Sequence, residues 1–298
     1  MKDPFDNLLD RLARSTRSPR GKYSAENSWK ILEDRIFAHA HRQRRFRLWL
    51  TGAAATVLLC IAGWMAYEAL RPVPMQTFST LAEVRNLTLP DGTEVTLNRY
   101  SSLTCPKRFE HDRRDVRLQG EAYFQVSKDA RRPFTVEAGG MEVQVLGTHF
   151  NVEAYPADTE VRTTLLEGSV AVSTDHGKKR LLLQPNEAAV YNRHTGLLRQ
   201  EATPAADDEI AWSRGLFLFR QQTLQEIARQ LSNAFRTPIR IEDAQLATYR
   251  LTATFSSGES LTEILDVLQQ AGHFGYRDES GTIVISPDRQ KPSKNNNT

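Results

Sequence analysis

The sequence predicts a mostly β domain followed by a small α+β domain of β-α-β-β-α-β order, with one transmembrane helix and a short helical tail in front of them. Three observations lead there. From Leu81 to Leu198 apolar and polar residues alternate with period two between glycine-marked turns. Further on, one helical pattern occurs twice, Leu224 in the first copy matching Leu261 in the second. Ahead of both, Leu48 to Tyr67 runs without a charged residue.

The front of the chain comes first. Residues 1–47 carry 12 Lys/Arg against 6 Asp/Glu, whereas the whole chain of 298 residues has a net charge of only +3. The segment beyond residue 70 is therefore close to neutral, and direct nucleic-acid binding is not expected there. Asp3 can cap a helix that Pro4 starts, with Phe5, Leu8, Leu9 and Leu12 on one face. A second helix is expected from about Ser24, with Trp29, Leu32, Ile36 and Ala40 along one side. So short a segment buries little core. Its apolar stripes need a cover, either an anionic membrane surface or a protein groove that Trp29 would anchor.

The uncharged segment, with Leu48 and Tyr67 as its ends, would be about 30 Å long as a helix, the thickness of a bilayer core. Arg42, Arg44, Arg45 and Arg47 crowd its N-terminal side. The positive-inside rule then predicts a single-pass inner-membrane protein with a cytoplasmic N-terminus and a periplasmic C-terminus. Cys60 in the span and Cys105 beyond it would lie in different compartments, with no disulfide between them, and both read as buried small hydrophobes.

In the β region, Val84 to Leu89, a Pro90-Asp91-Gly92 turn and Thr93 to Leu97 read as a hairpin. Further strands are expected at 115–118, 122–126, 134–137, 141–146, 150–154, 161–166, 169–173, 180–183 and 188–192, arranged as a sandwich, barrel or stack. Candidate chemistry is sparse. Glu121 and Glu167 each adjoin a glycine and would form a glycosidase pair only if they faced one another. His149 has no nucleophile arrangement beside it. The pattern carries no catalytic, metal or cofactor motif, so no enzyme and no cofactor is expected.

Four segments in order, LTLPDGTEVTLNRYSSL (87–103), RLQGEAYFQV (117–126), RPFTVEAGGMEVQVLGTHFNVEAY (132–155) and TLLEGSVAV (164–172), resemble the FecR family of transmembrane anti-sigma regulators. Cys105 departs from that pattern, which usually has tyrosine before the proline. The resemblance implies a periplasmic FecR-type domain over 80–200 and a sigma-binding cytoplasmic tail over 1–47, to which Trp29, Leu32 and Ile36 are assigned. The implied partners are an extracytoplasmic-function sigma factor, the signalling domain of a TonB-dependent outer-membrane transporter, and the inner membrane. The implied role is a relay from transporter to sigma factor that controls nutrient-uptake genes.

Residues 201–210 read as a loop. In the last domain, 212–287, Thr223 with Glu226 and Ser260 with Glu263 form two capping boxes. Leu224, Ile227 and Leu231 match Leu261, Ile264 and Leu268 at the same offset. This module resembles the C-terminal domain of Bacteroidetes-type FecR regulators and the short signalling domain of secretins and TonB-dependent transporters. The tail 288–298 reads as disordered. The competing reading is a membrane-anchored periplasmic glycan-binding protein or cell-envelope enzyme, which Glu121 facing Glu167 across a cleft would support.

Overall fold

The computed structural model describes Asn7, Arg11 and residues 25–70, 73–174, 177–256 and 258–288. The helix expected near Leu8 and Leu12 and the tail after Asp288 lie outside the described residues. The chain divides into two units, Met1–Pro72 and Val73–Thr298.

In the first unit one helix, α1 (Ala25–Leu70), takes in both the expected second tail helix and the expected span. The span itself is overturned: among the described residues no helix is long and apolar enough to cross a membrane. The stretch from Leu48 to Tyr67 includes Thr51, Gly52, Thr56 and Gly63, and the Thr56 hydroxyl donates back to the carbonyls of Gly52 and Ala53. Cys60 is exposed on this helix, against expectation, whereas Cys105 is buried.

The second unit begins with thirteen strands: β1 (Met75–Ser79), β2 (Arg85–Thr88), β3 (Glu94–Leu97), β4 (Ser102–Pro106), β5 (Arg114–Gln125), β6 (Phe134–Ala138), β7 (Met141–Val145), β8 (His149–Ala154), β9 (Glu160–Glu167), β10 (Val170–Thr174), β11 (Lys179–Leu183), β12 (Glu187–Asn192) and β13 (Leu198–Ala202). The sequence reading placed two strands and a glycine turn where β5 runs unbroken. Gly120, at φ +95°, is a bend inside that strand. A Cβ there would stand 2.3 Å from Ser101 Oγ and 2.7 Å from Ser101 Cα, so only glycine allows the passage.

The bend lets β5 belong to two sheets. Its first half pairs with β4 and, in parallel, with β6. Its second half pairs with β3 and β8. One layer thus runs β1-β4-β5-β6-β7-β10-β11 and the other β2-β3-β5-β8-β9-β12-β13. Between them lies one apolar core, from Leu97, Phe124 and Phe134 to Phe150 and Val172. The Phe124 and Phe150 rings stack at 5.1 Å across β5 and β8.

The hairpin turn has its own anchor. Asp91 accepts from the Thr93 amide and hydroxyl, at 3.1 and 2.7 Å. It also binds Arg114 Nη1 at 2.8 Å, both side chains being almost fully enclosed. Arg114 donates further to the carbonyls of Ser127 and Arg132 and lies over the Phe134 ring.

A 3-10 helix, Ala206–Arg214, follows where a loop was read. Then come β14 (Leu216–Thr223), α2 (Leu224–Phe235), β15 (Ile239–Ile241), α3 (Ala244–Ala247), β16 (Arg250–Ser256), α4 (Leu261–Gly272), β17 (Phe274–Glu279) and β18 (Thr282–Pro287). β14 pairs with its repeat counterpart β16, and β18 lies between β15 and β17. The duplication holds to the atom at the helix ends. Thr223 and Ser260 each close a capping box, and each helix ends in a left-handed residue, Arg236 or His273, at the repeat spacing. A second apolar core, with Phe219, Ile227, Leu231, Ile264 and Leu268, sits between the helices and strands.

Candidate functional site

Strand alternation turns Ala122 and Phe124 of β5 into the core and Glu121 and Tyr123 to the outer face. On β8, likewise, Phe150 and Val152 go inward and Asn151 and Glu153 outward. Yet Glu121, Asn151 and Glu153 are buried. The 3-10 helix and the C-terminal module cover this face, forming a polar seam.

Glu121 and Glu153 are directly opposed in the β5–β8 ladder. Asn98 Nδ2 and Asn151 Nδ2 donate to the two Glu121 oxygens at 2.7 and 2.8 Å. Burial first, then the Glu153 charge, pushes the Glu121 carboxyl up to about 8 against the two favourable amide bonds. From the module, Arg229 on α2 pairs with Glu153 and, at 3.1 Å, with Asp158. Asn233 donates to Asp158 at 2.8 Å. Desolvation raises both Asp158 and Glu209, and the Glu153 charge beside Arg229 holds its guanidinium more firmly protonated.

Two arginines stacked on aromatic rings complete the seam. Arg99 lies 5.4 Å from the Phe217 centroid and 6.0 Å from that of Phe235. In the other direction Arg236 lies 5.6 Å from the Tyr100 centroid. A cavity of about 50 Å³ remains between Glu121, Glu153, Glu209, Trp212 and Gln230, room for a few waters at roughly 10–15 Å³ each.

Glu121 and Glu167 do not form a pair. Glu167 sits on β9, opposite His149 at the start of β8, mostly exposed, with His149 Nδ1 at 3.1 Å. The partner of Glu121 is Glu153. Reading by neighbouring glycines missed it, along with Arg229, Asp158 and the Asp91–Arg114 pair. A signal was present in Asn151 and Glu153 alternating with Phe150 and Val152, but it marks an outer face without saying what covers it. Among the described residues no cluster of His, Cys, Asp or Glu is arranged to hold a metal.

On α1, Trp29 is 67 % exposed and Leu32 50 % exposed. Tyr67 is exposed near the other end of the helix. The side chains of Ile36 and Leu48 lie outside the description.

The FecR protein family profile matches residues 76–171, and the profile described as FecR, C-terminal matches residues 216–285. Two crystal structures of a proposed anti-sigma factor from Parabacteroides distasonis, at 2.50 and 1.65 Å resolution, are each 28 % identical to this chain. They superpose with TM-scores of 0.62 and 0.63, covering 72 % and 71 % of this chain and 99 % of their own. The chain belongs to the FecR family of anti-sigma factors. No curated protein is significantly similar to it. Within the FecR region lie Asp91, Arg114, Gly120, Glu121 and Glu153; within the FecR C-terminal region lies Arg229. The seam thus joins the two parts by which the family is recognised.

Proposed function

We propose that this FecR-family chain is an anti-sigma factor that binds an extracytoplasmic-function sigma factor through the exposed face of α1. The observation that carries this is the exposure of Trp29 and Leu32, three residues apart and so on one face of the helix. Large apolar side chains at that spacing suit a protein groove, and a tryptophan is the commonest anchor there. Family membership supports the partner class.

The signal is proposed to enter through residues 73–298, by contact with the signalling domain of a TonB-dependent transporter, so that nutrient-uptake genes follow transporter loading. Support for this comes from the resemblance of the C-terminal module to such signalling domains. Transmission requires that the partner bind two states of this unit unequally. Membrane association is part of the family reading and is tested by cell fractionation.

The test is co-purification of the tagged full-length chain from cells producing a candidate sigma factor. Stoichiometric recovery is expected from wild type and at least a tenfold loss from Trp29→Ala with Leu32→Ala. Equal recovery from both would remove α1 as the sigma-binding element.

A further inference from the structure

The seam between the β domain and the C-terminal module differs from the two cores beside it. Each module has its own apolar core, and the two cores share no residue. Between them the ties are polar: Arg229 to Glu153 and Asp158, Asn233 to Asp158, and the Arg99 and Arg236 cation–π contacts. Interfaces built this way resemble those between transient partners rather than a divided core.

We propose that this seam is a proton-operated latch: the C-terminal module stays closed over the β5–β8 face while the Glu121 carboxyl is protonated, and opens as that carboxyl becomes ionised. The proposal concerns residues 73–298 alone and does not depend on the sigma-factor reading.

Geometry supplies the parts. Glu121 is enclosed because the module lies over it; the cavity wall opposite is Trp212, Phe217, Gln230 and Asn233. The groups facing it are named from each element. β8 and the turn after it present Glu153 and Tyr155, and the turn after β3 presents Arg99. The 3-10 helix presents Asp208 and Glu209, and α2 presents Gln230 and Asn233, its Arg229 reaching Glu153 instead. Arg229 is taken up by Glu153 and Asp158. Arg162 is taken up by Glu201, with Glu209 at 3.8 Å. The two Glu121 oxygens accept from the neutral amides of Asn98 and Asn151.

A protonated Glu121 needs an acceptor. Asn151 Oδ1 is buried and without a hydrogen bond. A half-turn of the Asn151 amide puts that oxygen where Nδ2 now donates, and the carboxyl then donates to it.

The sign follows from linkage. Closed, Glu121 titrates near 8; open to water it returns toward its ordinary 4.5. Closure is therefore proton-neutral for this group below 4.5 and takes up a proton between 4.5 and 8. It is proton-neutral again above 8. Across the window closure weakens by up to about tenfold per pH unit. Asp158 and Glu209, both raised by burial, act in the same direction.

The experiment is hydrogen exchange of the full chain from pH 5 to 9, corrected for intrinsic rates, read on peptides covering α2 and β8. The opening constant is expected to rise several-fold to tenfold per pH unit up to about pH 8 and then to level off, with core strands β6 and β10 unchanged. Glu121→Gln keeps the amide contacts without a charge and is expected to lose more than half of that slope while staying closed. A flat wild-type profile, an unaltered slope in Glu121→Gln, or opening shared by β6 and β10 would overturn the latch. Carbon-13 titration of the Glu121 carboxyl in wild type stands in if Glu121→Gln does not fold. A midpoint near 8 supports the latch; one near 4.5 overturns it.

Discussion

Arg229 on α2 binds Glu153 on β8 and lies 3.1 Å from Asp158 in the following turn, so a single guanidinium joins two elements of the β domain to the C-terminal module. The carboxylates are nearly enclosed, whereas Arg229 is 34 % exposed on its side chain. Arg229→Ala leaves both carboxylates buried without a cation. A fully enclosed pair would lose about 3–5 kcal/mol, and partial screening lowers the expectation to about 2–3 kcal/mol. Urea denaturation measures it; a loss under about 0.5 kcal/mol would show the tie to be incidental.

Asp91 and Arg114 are the more deeply enclosed pair. Asp91→Ala is expected to cost about 3–5 kcal/mol, because the Arg114 charge then stays buried and uncompensated. Replacing both, as Asp91→Ala with Arg114→Met, is expected to be milder than Asp91→Ala alone. Thermal melts of the two variants and wild type show this directly, and strictly additive losses would contradict it.

Gly120→Ala combines a clash with Ser101 and a left-handed φ, and is expected to cost more than about 3 kcal/mol or to prevent folding. Gly281, at φ +85° with open space around its Cβ position, is the control. Its alanine variant is expected to lose only about 1–2 kcal/mol. Comparable losses at both positions would mean that the β5 bend does not depend on the close approach of Ser101.

The two capping boxes give a matched pair of tests. Thr223→Ala and Ser260→Ala each remove a hydroxyl that accepts from the N3 amide, and each is expected to cost about 1 kcal/mol. On separate helices the losses should add. A double variant no less stable than either single one would contradict the duplicated role.

What was legible in the sequence is what is decided locally. The caps at Thr223 and Ser260 bind residues three positions away, so spacing alone shows them. The strands read from alternation at 134–137 and 169–173 are β6 and β10, at Phe134–Ala138 and Val170–Thr174. Gly120 shows where the difficulty begins: a positive-φ glycine looks the same in sequence whether it turns the chain or bends one strand between two sheets. Glu121 and Glu167 show it again. Both adjoin such a glycine, yet one is sealed under a module 90 residues further on and the other faces solvent. Burial at that distance is set by docking, which no local pattern records. In α1 the uncharged run from Leu48 to Tyr67 reads as a span, yet among the described residues no helix is long and apolar enough to cross a membrane.

The central claim is that α1 offers a sigma factor its Trp29–Leu32 face. It is tested most directly by titrating the purified full-length chain into the sigma factor in a calorimeter, with Trp29→Ala alongside. Wild type is expected to bind one to one, with affinity falling at least thirtyfold in the variant, the about 2 kcal/mol of a hot-spot tryptophan. Equal dissociation constants for the two proteins, or no heat of binding in wild type, would contradict the account.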